Sequence, residues 1–468
     1  MWRKQQRFSN FNTPGTASGL LQAFAITSDP QYPWTNNTDA GIPEDDDTKK
    51  RRSEELIREQ YNNVNNYMNN LPSGVPGAVL INGDMTAFGH GNEWDKINSL
   101  VGILNRPYYF GLGNHDIENN FNACANNGCF KNSLNYLQGH VRRHNNIPSS
   151  QFDYSVQEGI GGTWACSTRE RRQGSFAYAF DMGNICFIQL QHNPSMNKHA
   201  DITSTNCHEY HIYPNRNWVE NQLRRARDSG KIIIVNVHFR PNIPLDYINL
   251  FQQYGVVVTF DGHMHSQLGN FASGGGIPNF RSGSASQRTY LILEQYADRL
   301  EIYTVRDNNW RNRQLVHTIP ITHPISGRFR ISTALDTRYV LNVMSGNNVG
   351  LYDKYYSPAS SSQIWNVEYN YEKKAYRIVF GITNLVLAWN AEGTSRNVFV
   401  TPFVPMYDEH YWILEPYDNG YIFRNKKNTN LVLDVENSQA SNYTNIQVRE
   451  RNSLENLNKN QTFILESY

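Results

Sequence analysis

The chain has 468 residues, more than one ordinary hydrophobic core uses, and this length predicts two or three domains. Its 43 Lys and Arg residues nearly balance its 42 Asp and Glu residues, so no overall field favours nucleic acid or an anionic membrane. No stretch approaches the roughly 20 apolar residues of a membrane helix, and no transmembrane segment is predicted.

The N-terminus starts with a basic stretch but lacks the apolar run of a signal peptide. We therefore expect residues 1–19 to form an N-terminal arm. The chain has 5 cysteines, and an odd count leaves at least one thiol free unless two chains pair. Cys186, within the apolar run NICFIQL, is expected in the core. For Cys124 and Cys129, a short disulfide and two free thiols are equal alternatives.

Short apolar runs alternate with longer mixed segments from Leu20 to Val305, as in a protein of the α/β class. Five of these runs end directly before polar residues: LLQAFAIT, GAVLIN, PYYFGLG, KIIIVNV and YGVVVTF. Near-continuous apolar strands suit sheets buried on both faces, and the polar groups past their C-terminal ends gather at one rim. Residues 48–70 and 217–229 have helical spacing and are expected as outer crossover helices.

The polar residues after these five runs form a possible ligand set for two divalent ions. Such a pair needs oxygen and imidazole donors and one carboxylate that can bridge the ions. The sequence provides, in order, Asp29 and Gln31, Asp84, Asn114 with His115 and Asp116, His238, and His263 with His265. A single Gly-Asp pair is a weak signal, whereas Gly-Asn-His-Asp and Gly-His-x-His, in order after strands, rarely arise by chance. Together these segments resemble the signature of calcineurin-like metallophosphoesterases.

The resemblance implies a double β-sheet sandwich flanked by helices over residues 20–322, with an insertion at about 117–216. It implies hydrolysis of a phosphate mono- or diester by a hydroxide that bridges two divalent ions, with manganese, iron and zinc as the open choices. His115 would contact the phosphate and assist the leaving group, and Asp116 would orient His115. One ion would be held by Asp29, Gln31, Asp84 and His265, and the other by Asp84, Asn114, His238 and His263.

The first segment departs from the usual Asp-x-His of the family, since it reads Asp29, Pro30, Gln31. Glutamine is a neutral and weaker ligand than histidine. The same start is similar to a subset of the family that includes protein phosphatases, so an active hydrolase remains the first hypothesis. The alternative is a toxin-like or carbohydrate-binding protein that uses a weakly active phosphoesterase scaffold. Residues near the rim are candidate substrate contacts, with simple packing as the alternative: Arg240, Tyr32, His90, Trp34 and His192.

After Pro324 the pattern changes to short strands and turns. Leu341, Leu387 and Leu433 recur at intervals of 46 residues in YVLNV, LVLAW and LVLDV, which indicates a threefold repeat. Each repeat ends in a polar residue two positions before an aromatic one, in the pairs Gln363 and Trp365, His410 and Trp412, and Gln461 and Phe463. This pattern resembles the Gln-x-Trp repeat of ricin-type lectins and implies an all-β trefoil domain at 325–468.

The resemblance to ricin-type lectins also implies where a sugar would bind. The early carboxylate position holds Asn342, Ala388 and Asp434 in the three repeats, so Asp434 with Asn460 forms the candidate carbohydrate site. Arg449 stands where a stacking aromatic residue is expected. A glycan or glycoprotein receptor is one expected partner, and a protein-binding or structural trefoil is the alternative. A lectin-like module favours action outside the cell even though no signal peptide is evident.

Overall fold

The computed structural model describes residues 19–162, 166–202, 207–271, 276–321, 325–354, 361–370, 372–452 and 459–468. The chain divides into two compact units, Met1–Thr322 and His323–Tyr468. The predicted N-terminal arm, apart from its last residue, lies outside the described residues. Within the described ranges, no helix is both long enough and apolar enough to cross a membrane.

The first unit contains two six-stranded sheets and a four-stranded sheet. Its strands are β1 (Gln22–Thr27), β2 (Gly77–Ile81), β3 (Tyr108–Phe110), β4 (Ser155–Ile160), β5 (Arg169–Gln173), β6 (Tyr178–Met182), β7 (Ile185–Gln189), β8 (Lys198–Ile202), β9 (His208–Ile212), β10 (Ile232–Asn236), β11 (Val256–Asp261), β12 (Leu268–Phe271), β13 (Asn279–Ser282), β14 (Tyr290–Gln295), β15 (Arg299–Val305) and β16 (Gln314–Pro320).

The two large sheets pack face to face. Their strand orders are β16-β15-β14-β1-β2-β3 and β12-β13-β11-β10-β7-β6. Strands β1, β2 and β3 are parallel, as are β7, β10, β11 and β13. The rings of Phe24 on β1 and Phe187 on β7 lie 4.8 Å apart in one buried apolar cluster that draws on both sheets. The predicted double-sheet sandwich is confirmed.

The helices described in this unit are α1 (Asn36–Asp39), α2 (Asp46–Asn69), α3 (Gly91–Val101), α4 (Gly128–Arg143), α5 (Arg216–Asp228) and α6 (Leu245–Tyr254). Buried apolar side chains of α2 to α6 pack with the sheets. Asp45 caps α2 by accepting a hydrogen bond from the Thr48 amide at 2.9 Å. Ile57, Tyr61 and Val64 follow helical spacing and are buried with the first sheet. The crossover helices predicted at 48–70 and 217–229 correspond to α2 and α5.

The predicted insertion at 117–216 is only partly separate from the sandwich. It includes α4 and the small sheet β4-β5-β9-β8, but β6 and β7 within the same range belong to the second large sheet. The apolar run around Cys186 is a buried strand of that sheet, so residues 117–216 contribute to both the small sheet and the sandwich. Disulfides join Cys124 to Cys129 and Cys166 to Cys207, and the buried Cys186 is a free thiol.

The second unit is all β. Its strands are β17 (Gly327–Thr333), β18 (Tyr339–Val343), β19 (Val349–Asp353), β20 (Trp365–Asn370), β21 (Ala375–Phe380), β22 (Leu385–Trp389), β23 (Val398–Pro402), β24 (Trp412–Tyr417), β25 (Gly420–Asn425), β26 (Leu431–Val435), β27 (Ile446–Glu450) and β28 (Phe463–Ser467). They join in one twelve-stranded sheet.

The threefold repeat is visible in the contacts of its tryptophans. Trp365 donates its indole N–H to the Leu341 carbonyl at 3.1 Å, and Trp412 donates to the Leu387 carbonyl at 2.8 Å. Both indoles are fully buried, as is Phe463 at the equivalent place in the third repeat. Each of the two indoles is therefore bonded to the leucine-bearing strand of its own repeat. The predicted all-β trefoil that follows the sandwich is confirmed.

Candidate metal centre

The predicted ligands lie just past the C-terminal ends of five parallel strands. Asp29 follows β1, Asp84 follows β2, Asn114 follows β3, His238 follows β10 and His263 follows β11, each two to four residues beyond the strand. The first three strands belong to one sheet of the sandwich and the last two to the other. The carboxyl ends of parallel strands in a sheet meet at one edge, so both sheets deliver polar groups to the same rim.

The backbone at this rim is strained. Asp29, Gln31, Asp84 and His263 have φ angles of 51°, 40°, 49° and 65°, the left-handed region that non-glycine residues rarely adopt. Such conformations cost free energy and concentrate at binding and catalytic sites. Four of the seven predicted ligands are therefore held in conformations that local folding alone would not select.

Two glycines allow the strand ends to approach each other. A Cβ atom on Gly113 would lie 2.0 Å from Asp84 Oδ1, and one on Gly83 would lie 2.7 Å from His238 Nδ1. Any larger residue at either position would collide with a predicted ligand. The glycines that precede Asp84 and Asn114 in the sequence are thus needed for space at the ligand cluster.

One group of donors surrounds the imidazole of His238. Its Nε2 atom lies 3.1 Å from Asp84 Oδ2, 3.0 Å from Asn114 Oδ1 and 3.3 Å from His263 Nδ1. His263 Nδ1 is also 3.0 Å from Asn114 Oδ1. Ligand atoms that bind the same metal ion, each at roughly 2.1 Å from it, lie about 3 Å from one another. His238 Nδ1 donates to the Asn82 carbonyl at 2.7 Å, which leaves the Nε2 lone pair directed at this group when the ring is neutral.

A second group of donors surrounds Asp29. Its Oδ1 atom lies 3.3 Å from His265 Nε2 and 3.9 Å from His238 Nε2. Its Oδ2 atom accepts hydrogen bonds from the His263 amide at 3.0 Å and from the Ser28 hydroxyl. Gln31 is fully buried and borders the same cavity. The structure thus brings all seven predicted ligands to one rim.

The carboxylates of the cluster favour positive charge at two of its three imidazoles, those of His238 and His265. Burial opposes protonation of His238, but the Asp84 and Asp29 carboxylates outweigh it and raise the pKa of His238 to about 9. Burial likewise opposes protonation of His265, and its bonds with Asp29 and Asp39 raise its pKa to about 10. The carboxylates therefore create a potential that stabilises cations at the positions of these two rings, as bound divalent ions require.

The surroundings of the Gln31 side chain fit a bound metal ion. Both polar atoms of its amide are buried and have no hydrogen-bond partner within the described part of the chain. A buried amide without partners costs roughly 1–3 kcal/mol per unsatisfied group. A ligand at the Gln31 oxygen would remove part of this penalty. The donor set of carboxylate, amide and imidazole, without thiolate, fits manganese, iron or zinc.

His115 and Asp116 have different surroundings. His115 lines the cavity, its amide donates to Asp84 Oδ1 at 2.8 Å, and its Nδ1 atom bonds the Ala87 carbonyl at 2.9 Å. Asp116 is buried and accepts hydrogen bonds from Met85, Thr86 and Gly113. The expected contact between Asp116 and the His115 ring is replaced by that of Ala87, because both Asp116 oxygens are engaged by the loop after β2 and by Gly113.

The cavity above the donors has a volume of about 370 Å³. It is lined by Gln31, Trp34, Thr38, Asp39, Asp84, His115, His263, Met264, His265 and Ser266. The Trp34 ring lies 5.3 Å from the His115 ring and 5.9 Å from the His265 ring, with edge contacts. Trp34, one of the rim residues considered from sequence, therefore forms a wall beside the predicted catalytic histidine.

The three predicted substrate contacts do not line this cavity. Tyr32 is 7% exposed and packs in the sandwich core, with burial raising its pKa. His90 is the N-cap residue before α3, is exposed and bonds Glu93 at 3.0 Å. Arg240 is 5% exposed, and burial lowers its pKa despite the nearby Asp261 carboxylate. His192, in contrast, lies 5.4 Å from the His238 ring and 5.9 Å from the His263 ring.

Sequence reasoning missed Asp39. Its Oδ1 atom accepts a hydrogen bond from His265 Nδ1 at 2.6 Å and another from Trp34 Nε1 at 2.7 Å. Asp39 ends the short helix α1, ten positions after Asp29, and follows no apolar strand. The sequence feature nearest to Asp39 is the capping box of Thr35 and Thr38 at the start of α1. A capping box predicts where a helix begins and does not predict a functional site.

The predicted carbohydrate residues lie together in the trefoil. Asn460 donates to Asp434 Oδ2 at 2.8 Å, and Gln447 donates to Asp434 Oδ1 at 3.1 Å. Asp434 is fully buried. Next to it, Gln447 and Arg449 border a cavity of about 420 Å³ together with Arg396, Glu436, Asn437, Val448 and Glu450. Arg449 thus occupies this wall in place of the expected aromatic residue.

Comparison with known proteins finds two family matches in the chain. The calcineurin-like phosphoesterase model matches residues 23–267, and the model of the ricin-type beta-trefoil lectin domain-like family matches residues 361–449. The chain thus carries a phosphoesterase domain and a ricin-type trefoil domain.

Individual relatives match smaller parts. The chain is 24% identical over 117 residues to pierisin of Pieris brassicae, covering 25% of this chain and 14% of pierisin. It is 35% identical over 95 residues to the main hemagglutinin component type C of Clostridium botulinum C phage, covering 19% of this chain and 31% of that protein. The chain therefore spans a minor part of either relative.

Among solved structures, the Rhizoctonia solani agglutinin has a TM-score of 0.26 and 16% identity, covering 32% of this chain and 100% of that one. The phosphoesterase match, at residues 23–267, includes all five ligand-bearing segments and more than half of the 468 residues. The chain belongs to the calcineurin-like phosphoesterase family.

Proposed function

We propose that the chain is a two-metal phosphoesterase that hydrolyses a phosphate mono- or diester and that its trefoil brings it to a glycan. The observation that carries the proposal is the gathering of three side chains around His238: its Nε2 atom lies 3.1 Å from Asp84 Oδ2, 3.0 Å from Asn114 Oδ1 and 3.3 Å from His263 Nδ1. We assign catalysis to residues 20–322 and targeting to residues 325–468.

The residues divide into two ligand sets in this proposal. Asp29, Gln31, Asp84 and His265 would hold one ion, and Asp84, Asn114, His238 and His263 would hold the other. Two bound divalent ions supply charge neutralisation for the phosphate and an activated water. Asp84 suits the shared position because its Oδ2 atom faces His238 while the backbone amide of His115 holds its Oδ1 atom.

His115 is the candidate proton donor to the leaving group. The Ala87 carbonyl accepts from Nδ1 at 2.9 Å, so Nδ1 carries a proton and Nε2 is the atom available to the cavity. The Trp34 ring lies 5.3 Å from the His115 ring in an edge contact. A substrate oxygen in the cavity could accept a proton or hydrogen bond from this Nε2 atom when the ring is protonated.

The variant His115→Ala is expected to lower kcat by about 10²- to 10⁴-fold, the usual contribution of a general acid or base. Metal content should not change, because the His115 contact with Asp84 uses the backbone amide and survives the substitution. The measurement is hydrolysis of p-nitrophenyl phosphate and bis(p-nitrophenyl) phosphate with added Mn²⁺, paired with metal analysis of each protein.

The matched control is His199→Ala, since His199 is exposed on the small sheet and bonds Glu209. It should hydrolyse both compounds at the wild-type rate. Wild-type protein that holds no metal and turns over neither compound under manganese supplementation would refute the enzyme proposal.

For the trefoil, we propose that the third repeat holds the sugar. The equivalent position of the three repeats holds a different pair of facing residues in each. The pairs are Asp434 opposite Gln447, Ala388 opposite Phe399, and Asn342 opposite Gly350. Only the first of these pairs offers a carboxylate, and it borders a cavity through Gln447. The buried Asp434 holds the Gln447 side chain, and Gln447 would meet a sugar hydroxyl at this cavity.

The variant Gln447→Ala is expected to lose most of the glycan binding of the wild-type chain, because it removes an amide that borders the cavity and bonds Asp434. The loss expected for one such buried hydrogen bond is about tenfold in affinity. A glycan array identifies the ligand, and calorimetric titration measures the change. Phe399→Ala, the same register position in the second repeat, is the control. Equal loss in both variants would refute the assignment to the third repeat.

A second function is a toxin- or lectin-like role with little hydrolysis. The similarity to pierisin and to a hemagglutinin component supports it, as does the neutral Gln31 in the first ligand set. The intact His238, His263 and His265 favour the enzyme. Metal content and turnover of the wild-type chain separate the two functions.

A further inference from the structure

The Asp39 carboxylate is the meeting point of four side chains. Its Oδ1 atom receives His265 Nδ1 at 2.6 Å and Trp34 Nε1 at 2.7 Å. Its Oδ2 atom receives Ser286 Oγ at 2.5 Å and Gln287 Nε2 at 2.7 Å. The carboxylate is thus fixed by donors on both of its oxygens, and one of these donors belongs to a predicted metal ligand.

The contact sets the tautomer of His265. Because Nδ1 faces a carboxylate at 2.6 Å, this nitrogen carries the proton in the neutral ring. The other nitrogen, Nε2, lies 3.3 Å from Asp29 Oδ1 and points towards the first ligand set. A carboxylate behind a ligating imidazole orients the ring and raises its strength as a donor.

Asp39 is well anchored for this task. It ends α1, whose first turn is held by the Thr35 side chain accepting from the Thr38 amide at 3.1 Å. Ser286 and Gln287 reach it from the segment between β13 and β14, more than 240 positions along the chain. The position of the carboxylate is therefore fixed by two segments that are distant in sequence.

The first ligand set needs such support. Gln31 contributes a neutral amide, so Asp29 and Asp84 are the carboxylates of that set. We propose that Asp39 is a positioning residue for the first metal: it fixes His265 and strengthens its donor nitrogen, which compensates for the weak ligand Gln31. Through the same oxygen it holds Trp34 as the cavity wall. The proposal rests on the two-metal function proposed above.

The test is a double-mutant cycle on metal affinity. Equilibrium dialysis with Mn²⁺ is carried out on wild-type protein, Asp39→Asn, His265→Ala and the double variant. Asp39→Asn should weaken one of the two ions by about 10- to 100-fold and leave the other unchanged. In the His265→Ala background the same substitution should change neither affinity by more than about threefold, because the two residues act through one contact. Asp246→Asn, an exposed carboxylate on α6, is the control.

Each outcome bears on a different proposal. Two ions bound to Asp39→Asn with wild-type affinity would overturn the role of Asp39 and leave the two-metal function standing. Equal weakening of both ions, or the same weakening without His265, would also overturn it, since a general disturbance of the fold would then be the cause. Wild-type protein that binds no Mn²⁺ would overturn both proposals. Selective loss of one ion through His265 supports the inference.

Discussion

Replacement of Asp84 by asparagine is expected to reduce hydrolysis by about a thousandfold or more and to lower the bound metal from two ions to at most one. Asparagine keeps the volume but removes the charge that two ions would share, and charge stabilisation by metals contributes several kcal/mol to such reactions. The Asp84 carboxylate is buried and lies 3.1 Å from His238, which holds its pKa well below the usual range against the effect of burial.

Metal analysis and turnover of an aryl phosphate measure this prediction. Asp298→Asn is the matched control, because the Asp298 side chain is 69% exposed and pairs only with the neighbouring Arg299 among the described salt bridges. The control should behave as wild type. An Asp84→Asn protein that keeps two ions and wild-type turnover would exclude Asp84 as the shared ligand.

The largest effect on stability is expected for Trp412→Ala. This tryptophan is fully buried in the trefoil core and donates to the Leu387 carbonyl at 2.8 Å. Its removal leaves a cavity and an unsatisfied carbonyl, and such truncations cost about 3–5 kcal/mol. Since domains are stable by only about 5–15 kcal/mol, the trefoil should lose a large part of its free energy of unfolding.

Differential scanning calorimetry of the full chain checks this result through the unfolding of the trefoil. Ile382→Ala provides the comparison, because Ile382 is 89% exposed on the same unit and its truncation should change stability by less than about 0.5 kcal/mol. Similar melting of the two variants would contradict the assignment of Trp412 to the core of its repeat.

The ligand set could be read from sequence because each donor follows a buried strand by a few residues. Apolar runs in the sequence predict where the buried strands end, and Asp29, Asp84 and His238 lie just past such ends. Whether these residues bind metal remains a prediction. The trefoil could be read for a similar reason, since its core aromatics recur at a fixed interval.

Contacts between distant segments could not be read in this way. Asp39 contacts His265 across 226 positions of the chain, and no local pattern marks it. Tyr32 adjoins a ligand in sequence, yet its side chain turns into the core. The disulfide between Cys166 and Cys207 was not predicted because five cysteines allow many pairings.

The left-handed backbone at Asp29, Gln31, Asp84 and His263 lowers the stability of the fold at positions proposed to serve function. At each of these positions glycine would adopt the observed φ at little cost, so selection for folding alone would favour glycine. The side chains that stand there instead make the protein less stable than its topology allows. The rim of the sandwich is therefore the region in which stabilising substitutions should be easiest to find and most harmful to activity.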